Sequence, residues 1–403
     1  MRRHSVIALL ILACAAFAEE PSWTGRQVML RESGSEMEVI VGGQRAGEMP
    51  LNTWEVFTVL REQDGRLWIR NREAEGWLDK KSAVPIEDAV EWFSQRIERS
   101  PTDESALAHR ARAYHFLGEY DKAIADFSQA LKISPAGAWI WNNRAIVWSD
   151  MKEYDKSIAD YTKALELNPS YYLPLSNRGL IWLRKKKHDQ ALADFANSIR
   201  HNPQYAIAFS NRALLWIEKR NFDEAKKDCD QAIQLYPGST ATRTVRGQMY
   251  LAMNRLDEAL RELNTAIDLE PKNASAYVHR ARTRARLGNF REAKGDFEEA
   301  IRQRPMVDWF YRDYAYFLAT CKDDSIRDGR KANEMIAKAL ERKIEQDGRY
   351  QSALAAVQAE LGKFDEAVKQ QEEALKDQYL AADEVAECKS RLAHYRKREP
   401  WRE

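Results

Sequence analysis

The histidines and cysteines are the residues of this sequence with the greatest capacity for catalysis or metal binding. His109 and His115 lie six positions apart, a spacing that puts them on different faces of a helix. Cys229, Cys321 and Cys388 are widely separated and form no CxxC pair, so we expect buried thiols that act as small apolar residues. The sequence also contains no GxSxG, HExxH or P-loop motif. It therefore predicts neither an enzyme nor a bound metal or cofactor.

Arginine recurs every 34 residues through the middle of the chain, and an acidic residue follows each arginine after 16 positions. One interpretation is a basic surface that holds an acidic ligand, and the other is a structural ion pair. Two irregular segments favour the ion pair because both charges are missing together. Leu354 and Gln370 replace them in one segment, and Tyr314 and Met335 replace them in the other. We therefore predict an arginine ladder, a row of ion pairs that ties helices together. Its pairs are Arg110–Asp126, Arg144–Asp160, Arg178–Asp194, Arg212–Asp228, Arg246–Glu262 and Arg280–Asp296.

Prolines mark the same 34-residue interval. Because proline lacks an N–H and clashes with the preceding turn, the chain must end one helix and begin another at the same phase each time. We number each unit so that its proline falls at position 32. Positions 8, 20 and 27 then carry mostly alanine, glycine or serine, and position 24 carries mostly large residues. Small residues let two helices approach closely, and the large ones fill the space beside them. The prolines are Pro101, Pro135, Pro169, Pro203, Pro237, Pro271 and Pro305.

This pattern resembles the tetratricopeptide-repeat (TPR) family, which has small residues at positions 8, 20 and 27 and proline at position 32. The turn between helices in residues 119–123 and 221–225 is also similar to that of the family. The resemblance implies a mainly α fold, an α-solenoid of antiparallel helix pairs that forms a TPR superhelix. A half-repeat and six full repeats would occupy residues 86–305. Two further TPR-like repeats would occupy residues 306–380, the first with a five-residue insertion around Cys321, and residues 381–403 would form a capping helix and tail.

The resemblance also implies a scaffold whose concave groove binds a protein or peptide partner. In this family position 6 of the first helix faces the groove, and an asparagine amide there can donate to and accept from a peptide backbone. The family's carboxylate clamp also needs lysine at position 2 of a downstream repeat. The six regular repeats lack it, so binding of chaperone tails is not supported. The predicted partner-binding residues are His109, Asn143, Asn177, Asn211 and His279 at position 6, and Trp139, Leu173 and Ile207 at position 2.

Residues 22–85 are rich in β-branched and aromatic clusters broken by turns, which predicts short strands. Asp64-Gly65 predicts a hairpin, and Gly42-Gly43 would close an earlier strand. Trp68 followed by residues 76–78 resembles the bacterial SH3-like barrel, so we expect a small SH3-like β-barrel in front of the solenoid. Domains of the bacterial SH3-like family often attach to cell-wall material. The resemblance therefore implies, as an alternative to the peptide-binding scaffold, a cell-wall-associated adaptor anchored by this domain. The predicted strands include residues 39–41, 54–60 and 67–70.

The first 18 residues have the pattern of a signal peptide. Arg2 and Arg3 precede the apolar stretch Val6–Ala16, and Ala16 and Ala18 have the spacing that a signal peptidase needs. The apolar run is shorter than the roughly 20 residues that span a bilayer, and no later segment reaches that length, so we expect no transmembrane segment. Cys14 leaves lipoprotein processing as an alternative. We therefore expect an exported protein, either periplasmic or secreted.

The near-equal numbers of positive and negative residues argue against a nucleic-acid partner. Lysine and arginine number 63, and aspartate and glutamate number 62, so the formal net charge is +1. A nucleic-acid-binding protein needs a surplus of positive charge on one face. We therefore expect no nucleic-acid partner.

Overall fold

The computed structural model describes residues 22–31, 36–41, 44–50, 56–70, 75–341 and 347–403. The internal contacts divide the chain into two compact units, residues 1–135 and residues 136–403. The predicted signal peptide, including Cys14, and the pair Gly42-Gly43 lie outside the described residues. Among the described helices, none is long and apolar enough to cross a membrane.

The first unit begins with an antiparallel sheet in which the described strands have the order β3-β2-β6-β5-β4-β1-β7. One turn of 3-10 helix, Lys80–Ser82, precedes the last strand. The strands are β1 (Gln27–Leu30), β2 (Glu36–Val41), β3 (Gln44–Pro50), β4 (Val56–Gln63), β5 (Arg66–Arg70), β6 (Glu75–Asp79) and β7 (Ala83–Pro85).

The core of this sheet follows from the alternation of side chains along a strand. Phe57 and Val59 of β4 point to the same face as Leu67 and Ile69 of β5, and all four are fully buried in one cluster. Asp64 and Gly65 have φ of 51° and 73°, the left-handed backbone of a type I′ turn, so the predicted β4–β5 hairpin is confirmed. The assignment of this sheet to the SH3-like class stays a prediction.

Three helices complete the first unit: α1 (Ile86–Arg99), α2 (Glu104–Phe116) and α3 (Tyr120–Ile133). Helix α1 packs against β1, β7 and α2. Its Phe93 is fully buried in a cluster that contains Met29 of β1 and Ala106 of α2. Met29 and Val84 of the sheet therefore share a hydrophobic cluster with α1 and α2, separate from the cluster around β4 and β5.

The second unit is entirely helical in its described residues. The helices run in antiparallel pairs, as predicted for an α-solenoid, and α18 packs on α17 as the capping helix. They are α4 (Ala138–Asp150), α5 (Tyr154–Leu167), α6 (Tyr172–Arg184), α7 (His188–His201), α8 (Ala206–Glu218), α9 (Phe222–Leu235), α10 (Thr240–Ala252), α11 (Leu256–Leu269), α12 (Ala274–Arg286), α13 (Phe290–Gln303), α14 (Asp308–Thr320), α15 (Gly329–Glu341), α16 (Gly348–Glu360), α17 (Phe364–Ala374) and α18 (Ala382–Arg396).

Each regular repeat has a first helix at positions 1–13 and a second helix at positions 17–30. The first helices of neighbouring repeats also contact one another, as α8 does α10 and α10 does α12. They therefore line the concave side of the solenoid. Close packing within a pair needs a small residue at position 8: a Cβ on Gly179 would lie 2.6 Å from a ring carbon of Phe195. Between α14 and α15 the connection lengthens to residues 321–328, where the insertion was predicted.

The turn inside each pair has the same hydrogen bonds in every regular repeat. The N–H at position 15 donates to the carbonyl at position 12, and the N–H at position 16 donates to the carbonyl at position 11, as Lys186 and Lys187 do at 3.0 and 2.8 Å. This Schellman arrangement requires positive φ at position 15. Glycine adopts that conformation easily, yet four of the six repeats place a larger residue there. The position-15 residues are Gly118, Lys152, Lys186, Arg220, Asn254 and Gly288.

Candidate functional site

The arginine ladder forms as predicted. All six arginines at position 7 donate to the acidic side chain at position 23 of the same repeat, with N–O distances between 2.7 and 2.9 Å. In five repeats the contact is bidentate, with Nε and Nη2 on the two carboxylate oxygens. Such pairing occupies the carboxylate-binding edge of the guanidinium. The ladder therefore ties the two helices of each repeat together.

The same arginines also reach the preceding repeat. Arg178 Nη1 donates to Thr162 Oγ1 at 3.0 Å, and Arg280 Nη1 donates to Asn264 Oδ1 at 2.9 Å. In the seventh repeat, where arginine is missing, Tyr314 donates to Glu298 at 2.8 Å instead. In the third, fifth, sixth and seventh repeats the residue at position 7 therefore bonds to the preceding repeat, while Arg212 of the fourth bonds to Asp228 alone among the residues that the structure describes.

The predicted groove residues at position 6 lie mostly between neighbouring first helices. Asn143 and Asn211 are 2% and 8% exposed. Asn211 donates to Ser176 Oγ of the preceding first helix at 3.0 Å, and half-buried Asn177 lies 3.5 Å from Asn142 Oδ1. These amides therefore bond across the interface between repeats.

The other predicted groove residues divide into buried and half-buried groups. His109 is buried and stacks on Phe93, with ring centroids 5.2 Å apart, and its Nδ1 lies 2.6 Å from the carbonyl oxygen of Ser105. His279 is buried beside Trp309. The three residues at position 2 are half-buried. Partner binding by all eight residues stays a prediction. The position-2 residues are Trp139, Leu173 and Ile207.

A cavity of about 780 Å³ lies among the first helices of the second unit. Its upstream wall combines the apolar Leu183, Leu214 and Ile217 with the charged Glu218 and Arg220. Its downstream wall is rich in charged residues from α12, α14 and α16. All eight predicted groove residues are described by the structure, and the cavity lining includes none of them.

The repeat positions that line the cavity change along the solenoid. Positions 9, 12 and 13 line it from α8, α10 and α12, as Gln248 and Arg282 do at position 9. Position 6 lines it in the seventh repeat, through Asp313, and positions 2 and 5 do so in the eighth, through Arg349 and Ser352. The sequence analysis did not predict that positions 9 and 13 line the cavity. Position 9 changes from leucine in α6 and α8 to polar residues in α10 and α12, and this change could have indicated a polar surface there.

A half-buried charge pair lies at the downstream wall. Arg312 Nε and Nη2 both donate to Asp313 Oδ1, at 2.8 and 2.6 Å. Burial by itself would raise the pKa of the Asp313 carboxyl, but the charges of Arg312 and Arg282 outweigh it and hold that pKa below its usual value.

His279 lies near this pair. Burial lowers the pKa of His279 to about 3, and the charge of Arg282 adds to the shift, so this imidazole is neutral at physiological pH.

The capping helix closes one side of the cavity with acidic residues. Asp383 accepts from Arg220 Nη2 at 2.6 Å, and Glu384 accepts from Arg349 Nε at 2.9 Å. Tyr316 of α14 donates to Glu403 at 2.5 Å, and the backbone N–H of Glu403 donates to the carbonyl of Thr320. Residues far apart in the sequence therefore meet around this cavity. In the part of the chain that the structure describes, no group of three or more His, Cys, Asp or Glu could hold a metal ion.

Family comparisons agree with this architecture. Tetratricopeptide-repeat models match residues 138–171, 183–240, 217–285, 274–305 and 348–368, and a TPR repeat model matches residues 111–148. Together these matches cover about half of the chain. The chain belongs to the tetratricopeptide-repeat family.

Solved structures similar to this chain are also TPR proteins. A tetratricopeptide repeat protein from Parabacteroides merdae is 16% identical, covers 73% of this chain and 98% of its own, and has a TM-score of 0.40. A thermophilic TPR protein of Thermus thermophilus is 25% identical over 45% of this chain and 98% of its own, with a TM-score of 0.41. YrrB, described as a TPR protein with an unusual peptide-binding site, is 23% identical over 44% and 92%, with a TM-score of 0.32. No curated protein matches the sequence.

Proposed function

We propose that this TPR protein is an exported scaffold that binds a protein or peptide partner in the cavity of its first helices. The observation that carries this proposal is the cavity of about 780 Å³, which lies within the range of roughly 300–1,000 Å³ typical of ligand sites. Successive first helices each contribute side chains to it, so an extended segment would contact several repeats at once. Concave surfaces of this kind are what solenoids use for binding.

The chemistry of the lining suits a polypeptide. Leucine and isoleucine side chains on the upstream wall can take apolar side chains, while arginine and glutamine on the downstream side can take polar ones. A site with an apolar surface and a few placed polar groups fixes both affinity and orientation. Gln248, in the middle of the cavity, carries an amide that can donate to and accept from a peptide backbone.

Partner capture from the exported fraction tests this function. The bait is the full-length chain, and the blocking variant is Gln248→Trp, which fills the cavity. The control is Gln234→Trp, an exposed position on the second helix α9. We expect Gln248→Trp to weaken capture at least about tenfold, a change of 1.4 kcal/mol in binding free energy, and Gln234→Trp to leave it unchanged.

The predicted asparagines give a second arm of the same experiment. The combined variant of Asn143, Asn177 and Asn211 to Ala should weaken capture if the partner's backbone also contacts these first helices. Capture that is unaffected by both the Gln248 variant and the asparagine variant would contradict binding in the groove.

Export and the role of the β-sheet need their own measurement. We expect the mature protein from the exported fraction to begin at Glu19, and a lipid on Cys14 would establish lipoprotein processing instead.

A variant that lacks residues 22–85 tests the alternative of a wall-anchored adaptor. Retention on insoluble wall material by the full-length chain, and its loss in this variant, would favour that alternative.

A further inference from the structure

The arginines that line the cavity are unequally compensated. Six arginines lie in its wall. Four of them have a carboxylate of the cavity wall within 3.7 Å, Arg282 has one only at 3.9 Å, and Arg286 has none within 4 Å among the described residues; these last two are both on α12. The four compensated pairs are Arg220–Asp383 at 2.6 Å, Arg312–Asp313 at 2.6 Å, Arg349–Glu384 at 2.9 Å and Arg391–Glu387 at 3.7 Å.

Arg282 and Arg286 have weak partners. The carboxylate nearest to Arg282 is Asp313, with Oδ2 at 3.9 Å, and this carboxylate already accepts two hydrogen bonds from Arg312. Arg286 donates to the backbone carbonyl of Leu251 at 3.2 Å, and in the described chain it has no carboxylate within 4 Å. The guanidinium groups of Arg282 and Arg286 therefore have weaker carboxylate contacts than the other four arginines of the cavity wall.

Arg282 and Arg286 also lie four positions apart on α12, which brings their positive charges close together. Residues four apart lie on the same face of a helix, and two like charges in that arrangement destabilise the helix. The pKa of Arg282 is lowered: burial is the largest cause, the charge of Asp313 opposes it, and the charges of Arg312, Arg286 and Arg349 add to the lowering. This end of the cavity therefore favours a bound anion.

The upstream wall of the cavity indicates which type of ligand would supply the anion. Leu183, Leu214 and Ile217 lie upstream in the same cavity, with Leu251 between them and the two arginines. Five carboxylates besides Asp313 line the cavity, and they would repel a chain of phosphates. They belong to Glu218, Asp383, Glu384, Glu387 and Glu403. A polypeptide with apolar side chains next to a single acidic residue fits both walls.

We propose that Arg282 and Arg286 form an anion subsite that accepts an acidic side chain of the protein or peptide partner. The subsite rests on the proposed function, because it lies in the same cavity. A guanidinium presents donors in a planar fork that matches a carboxylate, so two of them can hold one acidic side chain from both sides. The apolar wall then takes the residues beside it.

Fluorescence anisotropy on the full-length chain tests the subsite. The probe is a labelled peptide that repeats the unit Leu-Glu-Ser, and its counterpart repeats Leu-Gln-Ser. The variant is the double change Arg282→Gln and Arg286→Gln. The charge-matched control is Arg261→Gln with Arg291→Gln, two exposed arginines of α11 and α13. Thermal unfolding followed by circular dichroism verifies that both variants fold.

We expect the glutamate peptide to bind the wild type at least about tenfold more tightly than the glutamine peptide, since hydrogen bonds to charged groups are strong. The double variant should lose this preference, and the charge-matched control should keep it.

Three results of this experiment would overturn the subsite: equal affinity for the two peptides, no saturable binding of the glutamate peptide, or a preference that survives in the double variant. Competition by inorganic phosphate as effective as by the glutamate peptide would overturn it too. Partner capture that depends on Gln248 but not on Arg282 and Arg286 would leave the proposed function standing and reject the subsite alone.

Discussion

The guanidinium of Arg178 donates to both carboxylate oxygens of Asp194, with Nε–Oδ2 and Nη2–Oδ1 distances of 2.8 Å. The two residues belong to the two helices of the third repeat. Their side chains are 19% and 7% exposed, so the pair lies between the helices and not on the outer surface. A third bond from Arg178 to Thr162 extends the contact to the second repeat. One side chain thereby joins three helices, and Arg280 does the same through Asp296 and Asn264.

The Arg178–Asp194 pair should show strong coupling in unfolding experiments. Arg178→Ala leaves a buried carboxylate without its partner, so we expect it to cost about 3–5 kcal/mol of unfolding free energy. The double change with Asp194→Ala should cost less than the sum of the two single changes, with a coupling energy of about 1–3 kcal/mol. Urea denaturation of the four proteins measures the cycle.

The exposed pair Lys163–Glu166 on α5 serves as the matched control for this cycle. Its side chains are 47% and 59% exposed, so solvent screens the interaction. We expect a coupling energy within about 0.5 kcal/mol. Equal coupling in the two cycles would contradict a structural role for the arginine ladder.

Two glycine-to-alanine changes should act in opposite directions. Gly179→Ala places a Cβ 2.6 Å from the buried ring of Phe195, so we expect a loss of about 1–2 kcal/mol. Gly295→Ala lies on α13 with nothing within 4 Å of its Cβ, so the gain in helix propensity should stabilise the protein by about 0.5–1 kcal/mol. Thermal unfolding of the two variants measures the difference. Stabilisation by both changes would contradict close packing between positions 8 and 24.

His279 should make the stability of the protein depend on pH. Its pKa falls from 6.5 to about 3 in the folded chain because burial disfavours the charged imidazolium. Between these values the unfolded chain binds a proton that the folded chain does not, so stability falls as the pH falls below 6.5. At pH 5 the loss relative to pH 7 should be about 2 kcal/mol.

The variant His279→Gln isolates this effect. Because glutamine does not titrate, the difference in unfolding free energy between pH 7 and pH 5 should shrink by about 2 kcal/mol in the variant. Urea denaturation at both pH values gives the comparison. A variant whose pH dependence equals that of the wild type would show that His279 is not the responsible group.

Cys229 should be unreactive in the folded protein. The structure buries it completely in α9, and burial raises the pKa of its thiol to about 12. We expect alkylation by iodoacetamide at pH 8 to be at least about a hundredfold slower in buffer than in denaturing urea, because the thiolate is the reacting species. Mass spectrometry of the peptide that contains Cys229 separates it from Cys321 and Cys388. Rapid labelling of Cys229 under native conditions would contradict its burial.

Much of the solenoid was predictable because its information is local. Proline at position 32, small residues at position 8 and the arginine–acid spacing all lie within one repeat of 34 residues. The predicted burial of the three thiols is confirmed. For Cys229 the reason is local, since it occupies the core position 24. The β4–β5 hairpin follows from two adjacent residues, Asp64 and Gly65.

The candidate site was much less predictable. The family resemblance pointed to position 6, yet Asn143 and Asn211 are buried, and Asn211 donates to Ser176 of the preceding first helix. The cavity is instead lined by positions 9, 12 and 13 in the middle repeats and by position 6 at Asp313. Which positions line it depends on the rotation of each repeat against the next, and no single repeat encodes that rotation.

The sequence by itself determined the repeat unit: where its helices begin and end, which small residues lie between them, and which charges pair across them. These features follow from helix periodicity and from contacts between residues fewer than 34 positions apart. Only the tertiary structure decided where the cavity lies and which of its arginines have a close carboxylate. Arg220 meets Asp383 across 163 positions, and Arg282 and Arg286 are left without a close carboxylate by the packing of α12, α14 and α18. Small rotations accumulate from repeat to repeat, so contacts over such separations become defined only when the whole array is assembled.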